Sequence, residues 1–175
     1  MGGKNRQVNY ERDVIYGEGS DEVVFLKYLR SIYSKDSTNP RIGNGRGGTP
    51  KKIVQTMRDV PQLGAYNRRS VLFDSDRGEE KVNAAKMEAG KRPPITPVIA
   101  EQCFEYEMLK IKGVTGGILR KARQDSCIAK QEFARICDKS TDGSVKSYPK
   151  AYPKNLLESK RRTNTWLDSV IGLFE

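Results

Sequence analysis

The sequence predicts an α/β fold in which helices flank a mainly parallel sheet. Three short apolar segments, at residues 13–16, 70–73 and 95–100, have the composition of buried strands. Amphipathic segments of helical length lie between and after them. Strands that alternate with helices in this way are typical of parallel sheets. The carboxyl ends of such strands meet at one edge, where ligands bind.

Local signals place the elements in the first half of the chain. Ser20 can cap a helix after the first strand, because two acids follow it in what would be the first helical turn. The glycine-rich residues 39–48 allow at most a short strand, and Pro50 then suits the first position of a second helix. Residues 1–10 are polar and are expected to form a mobile basic tail.

The second half of the chain is predicted to be mostly helical. We divide the chain into a core at residues 11–112 and a basic, helical extension at residues 113–175 that packs on it. The final helix carries a tryptophan on its apolar face, which favours a core element, although a homodimer contact or an accessory-protein site would show the same pattern. Apolar spacing predicts helices over residues 78–90, 101–112, 126–138 and 154–174.

The composition excludes several kinds of site. The 175 residues include no histidine, which excludes catalysis of the Ser-His-Asp or Cys-His kind and zinc sites with histidine ligands. The three cysteines form no Cys-x-x-Cys pair and are expected to be reduced thiols. No apolar segment is long enough to span a membrane, and the amino terminus has no signal-peptide core. We therefore expect a cytoplasmic protein with no membrane partner.

Positive charge is concentrated in segments that flank an acidic centre. The chain has 32 basic and 22 acidic residues, a formal net charge of +10. This clustering favours a polyanionic partner, above all nucleic acid, and a basic surface without such a partner is the alternative. The candidate nucleic-acid contacts are Arg46, Lys51, Lys52, Lys110, Lys112, Arg120, Lys121, Arg123, Lys160, Arg161 and Arg162.

Two tyrosines lie among lysines near the end of the chain. Tyr148 and Tyr152 could stack on unpaired bases, as aromatic side chains do in proteins that bind single strands. Packing of both rings against the domain is the alternative that we favour.

Acidic residues follow two of the predicted strands. Glu18 lies between two glycines after the first strand, and Asp74 and Asp76 follow the second apolar segment. The i, i+2 spacing lets both aspartates point the same way while the chain is extended. Three carboxylates at one sheet edge repel one another unless a cation joins them, and such oxygen ligands suit Mg²⁺ or Mn²⁺. The alternative is that these acids only begin a helix and shape a turn.

The same segments resemble the Toprim (topoisomerase–primase) domain. Residues 14–22, VIYGEGSDE, resemble the first Toprim motif, and residues 71–76, VLFDSD, resemble its Asp-x-Asp motif. The glycine-rich residues 43–50 and residues 97–105, PVIAEQCFE, are similar to the RloB-like and OLD-like branch of bacterial phage-defence and mobile-element proteins. The resemblance covers roughly residues 12–112. It implies a Toprim-like, Rossmann-like core.

The resemblance also implies a metal-dependent endonuclease. Carried over onto this chain, the metal ligands would be Glu18, Asp74 and Asp76, with Glu22 as a second-tier ligand and Glu105 as a weaker candidate. The expected reaction is hydrolysis of phosphodiester bonds with Mg²⁺ or Mn²⁺ as cofactor. DNA is favoured as the substrate over RNA, and the product would be a nick or a cut.

The resemblance leaves a further catalytic candidate, one departure from the family pattern and one alternative function. Arg77, beside the aspartate pair, is the charged side chain nearest in sequence that could stabilise a transition state. Members of this branch usually carry an aspartate just before the proline of the glycine-rich segment, whereas this chain has Thr49 there. A Toprim-like protein that binds nucleic acid without cutting it, or that serves as an accessory subunit, is the alternative.

Overall fold

A central parallel sheet organises the molecule. In a computed structural model, residues 13–34, 39–137 and 147–175 are described, so the predicted tail at residues 1–10 lies outside the described part of the chain. The strands are β1 (Val14–Gly17), β2 (Arg41–Asn44), β3 (Arg69–Asp74) and β4 (Thr96–Ala100). Their order is β2-β1-β3-β4, and each of these three strand pairs is parallel. The predicted α/β fold with a parallel sheet is confirmed.

Helices connect the strands and continue after the last of them. None of the described helices is long and apolar enough to span a membrane. The helices are α1 (Ser20–Tyr33), α2 (Pro50–Arg58), α3 (Glu79–Ala89), α4 (Phe104–Lys112), α5 (Gly116–Gln124), α6 (Ser126–Cys137), α7 (Tyr148–Ala151), α8 (Lys154–Arg161) and α9 (Thr165–Ile171).

The strand order creates a switch point between β1 and β3. The chain leaves β1 through α1 to reach β2 on one side, and it then crosses through α2 to β3 on the other side. In doubly wound sheets, the crevice outside the carboxyl ends of two such strands is where ligands bind. The fold therefore marks the carboxyl ends of β1 and β3 as the place to look for a site.

Hydrophobic clusters cover both faces of the sheet. Ile15 and Leu72 face a cluster built with α1, α4 and α6 to α9. Val14, Tyr16 and Phe73 face the opposite cluster, which α2 and α3 complete. Successive side chains of β1 and β3 therefore pack alternately into the two clusters, as expected for a parallel sheet that is buried on both faces.

The extension adds aromatic rings to the first of these clusters. Tyr148 and Tyr152 are only 3% and 0% exposed. The hydroxyl of Tyr152 donates to the carbonyl of Met108 at 3.3 Å. Both tyrosines therefore pack in the core, as we favoured, and the alternative that they stack on bases is wrong. Trp166 and Phe174 are buried in the same cluster, so the apolar face of the final helices is a core element of the single chain.

Some helical predictions need correction. Ser20, predicted to cap the first helix, is the first residue of α1, and Gly19 occupies the cap position. The single helix predicted over residues 154–174 is two helices, α8 and α9. Asn164 separates them, since its side chain accepts a hydrogen bond from the Leu167 N–H at 2.8 Å and so caps α9. The sequence also fails to predict α5, because the glycines around residue 116 suggest a break and the helix begins directly at Gly116.

An ion pair fixes the beginning of β1, and its loss should destabilise the sheet. The carboxylate of Asp13 is 3% exposed and accepts hydrogen bonds from the backbone N–H and the Nε of Arg68, at 3.1 and 2.8 Å. Asp13→Ala leaves these donors without their partner, so we expect a loss of about 2 kcal/mol in the free energy of unfolding. Urea unfolding of this variant, with the exposed Asp59→Ala as control, measures the effect; equal stabilities of the two variants would contradict the assignment.

Candidate functional site

Two carboxylates meet at the switch point of the sheet. Glu18 follows β1 directly, and Asp74 is the last residue of the neighbouring strand β3. The Oε2 atom of Glu18 accepts a hydrogen bond from the Asp74 N–H at 3.0 Å. The contact joins positions 56 residues apart in the chain, so the sheet, rather than the local sequence, brings the two acids together.

Glu22 reaches the same place from the first turn of α1. Its Oε2 accepts a hydrogen bond from the Gly19 N–H at 3.0 Å, and the residue is 7% exposed. Gly17 permits this close approach, because a Cβ atom there would lie 2.7 Å from the Cβ of Glu22. The glycines on either side of Glu18 therefore bring the start of α1 against the end of β1.

The beginning of α4 closes the site from the side of β4. The Phe104 N–H donates to Oδ1 of Asp74 at 2.9 Å, so the positive end of this helix points at the carboxylate. Glu105, in the first turn of α4, is 6% exposed. Asp76 is fixed by its backbone, whose N–H donates to the carbonyl of Gln102 at 2.8 Å.

Burial, together with neighbouring negative charges, raises the pKa values of three of these carboxyl groups. Burial raises the pKa of Asp74 to about 9, and the negative charges of Glu22, Glu18, Glu105 and Asp76 add to the effect. Burial likewise raises the pKa of Glu22 to about 7, with Glu105 and Glu18 as further causes. The pKa of Glu18 is also raised, mainly by burial, although the Asp74 N–H lowers it. The five acids involved in these shifts lie at one sheet edge. We call them the acidic cluster: Glu18, Glu22, Asp74, Asp76 and Glu105.

Two cationic side chains border the acidic cluster. Arg77, predicted from its position in the sequence, has its Nε 3.9 Å from Oδ1 of Asp76, and its side chain is 50% exposed. Lys130, on α6, is the second. Partial burial lowers the pKa of Lys130, but the carboxylates of Glu105, Asp74 and Asp76 outweigh this and raise it. The sequence does not point to Lys130, because only the packing of α6 brings it to the site.

The raised pKa values predict how stability depends on pH. The Asp74 carboxyl ionises around its ordinary pKa of 3.8 in the unfolded chain, and its pKa is about 9 in the folded protein. Between these values the folded protein holds a proton that the unfolded chain has lost, so the free energy of unfolding falls as the pH rises. Glu22 acts in the same direction between 4.5 and about 7.

We therefore expect the metal-free protein to lose stability from acid to alkaline pH. Urea unfolding in EDTA should give a lower free energy of unfolding at a pH of about 8 than at a pH of about 5. The matched control is Asp74→Asn, in which the difference should shrink because the main titrating group is gone. A wild-type free energy that is constant or rises over this range would contradict the raised pKa values of Asp74 and Glu22.

The glycine-rich loop between β2 and α2 lies directly beside Glu18. The Gly47 N–H donates to the carbonyl of Glu18, and the Gly45 N–H to that of Gly17, both at 2.8 Å. Arg46 has a left-handed backbone with φ of 63°, and its side chain is exposed. Lys52 is exposed in the first turn of α2. Two predicted phosphate contacts, Arg46 and Lys52, therefore lie on this loop and at the start of the helix that follows it. The charge of Lys51 instead acts on Glu88, near the carboxyl end of α3.

Thr49 has a structural role in this protein. Its hydroxyl accepts a hydrogen bond from the Lys52 N–H, which caps α2, at the position where the resemblance leads us to expect an aspartate. The threonine therefore supports the loop that carries the basic side chains, and it adds no further carboxylate to the site.

Several other predicted nucleic-acid contacts already have partners within the chain. Lys110 bonds to Glu101 and Glu107, both at 3.1 Å. Lys112 donates to the carbonyl of Ala151 at 2.7 Å. Arg123 pairs with Glu101, and Arg161 pairs with Asp168 and Glu175.

The remaining contacts on the extension do not surround the acidic cluster as one surface. Arg120, Lys121 and Arg162 are exposed, and Lys160 is half-buried. The Nζ atom of Lys160 lies 4.0 Å from the point that a Cβ atom would occupy at Gly113, so this lysine is at the carboxyl end of α4. The first residue of α4, Phe104, donates to Asp74, and the helix runs for nine residues, so its carboxyl end is about 13 Å from the acidic cluster.

The donor set fits a small divalent cation that keeps water ligands. Within residues 13–34, 39–137 and 147–175, no three acidic or thiol side chains stand close enough to form a complete metal cage. Mg²⁺ does not need one, because it binds through one or two carboxylates and completes its shell with water and substrate phosphates. Backbone N–H groups hold one oxygen each of Glu18, Glu22 and Asp74. The other oxygens can serve as ligands.

Comparison with known proteins adds no homologue to this site. The chain matches no protein-family model, no curated protein and no solved structure. Its function is therefore inferred from the fold and the geometry of the acidic cluster.

Proposed function

We propose that the protein is a Toprim-like, Mg²⁺- or Mn²⁺-dependent endonuclease that hydrolyses phosphodiester bonds, with DNA as the favoured substrate. The observation that carries the proposal is the acidic cluster at the switch point, where buried carboxyl groups lie together without enough cationic partners. Such an arrangement costs stability, and a bound divalent cation would relieve it. In keeping with the resembled branch, we propose a role in phage defence or in conflict with mobile elements.

The protein's own groups have separate tasks in this proposal. Glu18 and Asp74 hold the cation, since both are oriented by backbone hydrogen bonds at the switch point. Asp76, two residues beyond Asp74, would bind a water ligand of the ion rather than the ion itself, and Glu22 would support the set from α1. A divalent ion held by these residues would lower the pKa of a bound water and withdraw charge from the scissile phosphate. That chemistry would replace the imidazole base that the chain lacks.

Positive groups around the cluster would bind the substrate. Arg77 has a half-exposed side chain that can turn from Asp76 to a phosphate when substrate enters. The exposed side chains of Arg46, on the glycine-rich loop, and Lys52, in the first turn of α2, lie on this side of the site. In this arrangement the basic side chains would bind the phosphates and the neighbouring carboxylates would bind the metal ion. One surface could then hold both the polyanion and the divalent ion.

A nuclease panel tests this function and identifies the substrate class. Purified protein is incubated with supercoiled plasmid, single-stranded DNA and RNA, each with Mg²⁺, Mn²⁺ or EDTA. We expect cleavage that requires the metal and disappears in Glu18→Ala and Asp74→Ala, with Asp59→Ala as the active control. Binding without cleavage of any substrate would instead support the accessory or binding protein. Cleavage of RNA alone would replace DNA as the substrate.

A further inference from the structure

Helix packing places Lys130, the second cationic side chain, beside the acidic cluster. The rings of Phe133 and Phe104 meet edge to face with centroids 5.6 Å apart, which holds α6 against the start of α4. Ala129 is fully buried in a cluster that also contains Cys103, the residue just before α4. Lys130 follows Ala129 directly, so its backbone lies beside the helix start that binds Asp74.

Lys130 is available for a ligand. The residue is exposed, and among the described residues it has no carboxylate within 4.0 Å as an ion-pair partner. Its charge nevertheless acts on Glu105, Asp74 and Asp76, and also on Glu18, in keeping with the position of α6 beside the start of α4. Lys130 differs in this respect from Lys110 and Lys112, whose ammonium groups bond to partners within the fold.

The sheet order puts the glycine-rich loop and α6 on opposite sides of the acidic cluster. The loop follows β2, the acids follow β1 and β3, and α4 with α6 follows β4, in the spatial order β2-β1-β3-β4. Three spacings between adjacent strands amount to about 14 Å. At about 3.4 Å of rise per nucleotide, this distance spans roughly four nucleotides of one strand.

We propose that one nucleic-acid strand lies along this edge of the sheet, with Arg46 and Lys52 on a phosphate to one side of the acidic cluster and Lys130 on a phosphate to the other. This rests on the proposed nuclease function and specifies its substrate. The protein binds a polynucleotide with phosphates on both sides of the cleaved bond, so it cuts within a chain. Lys130 holds the strand and does not touch the reacting phosphate.

Salt-dependent binding tests this assignment without cleavage. Anisotropy of a fluorescein-labelled single-stranded oligonucleotide in EDTA is measured for wild type, Lys130→Gln, Lys52→Gln and the exposed Lys86→Gln of α3. We expect Lys130→Gln and Lys52→Gln each to weaken binding about three- to tenfold and to reduce the slope of log Kd against log salt by about one. Lys86→Gln should match wild type. Equal affinities of Lys130→Gln and Lys86→Gln would overturn the assignment.

Kinetics on two substrates separate strand binding from a role in the transition state. On an oligonucleotide, Lys130→Gln should raise KM by the same factor with kcat unchanged, because a flanking contact is equally strong before and during the reaction. On the p-nitrophenyl ester of thymidine 5′-monophosphate, which has no flanking phosphate, Lys130→Gln should lower kcat/KM by a much smaller factor than on the oligonucleotide. An equal fall in kcat/KM on both substrates would overturn the proposal. Wild type that cleaves neither substrate refutes the nuclease function, whereas the binding comparison still decides the role of Lys130.

Discussion

Asp74→Asn is expected to abolish cleavage and, at the same time, to stabilise the metal-free protein. The asparagine oxygen can still accept the Phe104 N–H, so the site keeps its shape while it loses a buried charge that binds the cation. Loss of a ligand worth several kcal/mol in the transition state should slow cleavage by about a thousandfold. Removal of a carboxyl whose pKa is raised to about 9 should increase the free energy of unfolding by about 1–3 kcal/mol at a pH of about 8.

Opposite signs in the two measurements identify a functional carboxylate. Cleavage rates and urea unfolding in EDTA are compared for wild type, Asp74→Asn and the exposed Asp59→Asn, which should change neither quantity. Residues that destabilise the fold and serve the reaction are expected at active sites. If Asp74→Asn destabilised the protein and left cleavage intact, Asp74 would be a structural residue of the β3 turn.

Phe104→Ala should have the largest effect on stability. Phe104 is 1% exposed, and its ring lies between those of Phe25, Phe133 and Trp166, with centroids at 5.6, 5.6 and 6.1 Å. It therefore joins α1 of the core to α6 and α9 of the extension. Truncation removes a large buried surface and leaves a cavity, so we expect a loss of about 3–5 kcal/mol in the free energy of unfolding.

The same substitution shows whether the extension and the core unfold together. Tryptophan fluorescence of Trp166 and far-UV circular dichroism should follow one shared urea transition at a lower midpoint than in wild type. Ile118→Ala, at a residue that is 43% exposed, is the matched control and should cost no more than about 0.5 kcal/mol. A Phe104→Ala protein as stable as this control would contradict the role of the aromatic cluster.

The sequence predicts the acids of the site because their positions depend on local patterns. Each follows an apolar strand, and the rule that parallel strands end at one edge brings Glu18 and Asp74 together. The hydrogen bond between these residues agrees with that rule. Glu105 is less apparent in the sequence, since its contribution depends on where α4 begins relative to β3.

The basic residues are harder to assign from the sequence. Lys112 and Arg161 lie in basic segments, yet their partners are the carbonyl of Ala151 and the carboxylates of Asp168 and Glu175. Such contacts depend on how helices pack, which a count of charges does not contain. Lys130 shows the converse, because a lysine outside the strongest basic segments is placed beside the acidic cluster by the burial of Ala129.

Direct binding of Mn²⁺ tests whether the acidic cluster holds a divalent cation. Free Mn²⁺ is measured by electron paramagnetic resonance as it is titrated into wild type, Asp74→Asn and Asp59→Asn. We expect saturable binding to wild type and Asp59→Asn that Mg²⁺ competes away, and a loss of at least about tenfold in affinity for Asp74→Asn. Equal Mn²⁺ affinities for Asp74→Asn and Asp59→Asn would show that Asp74 is not a ligand.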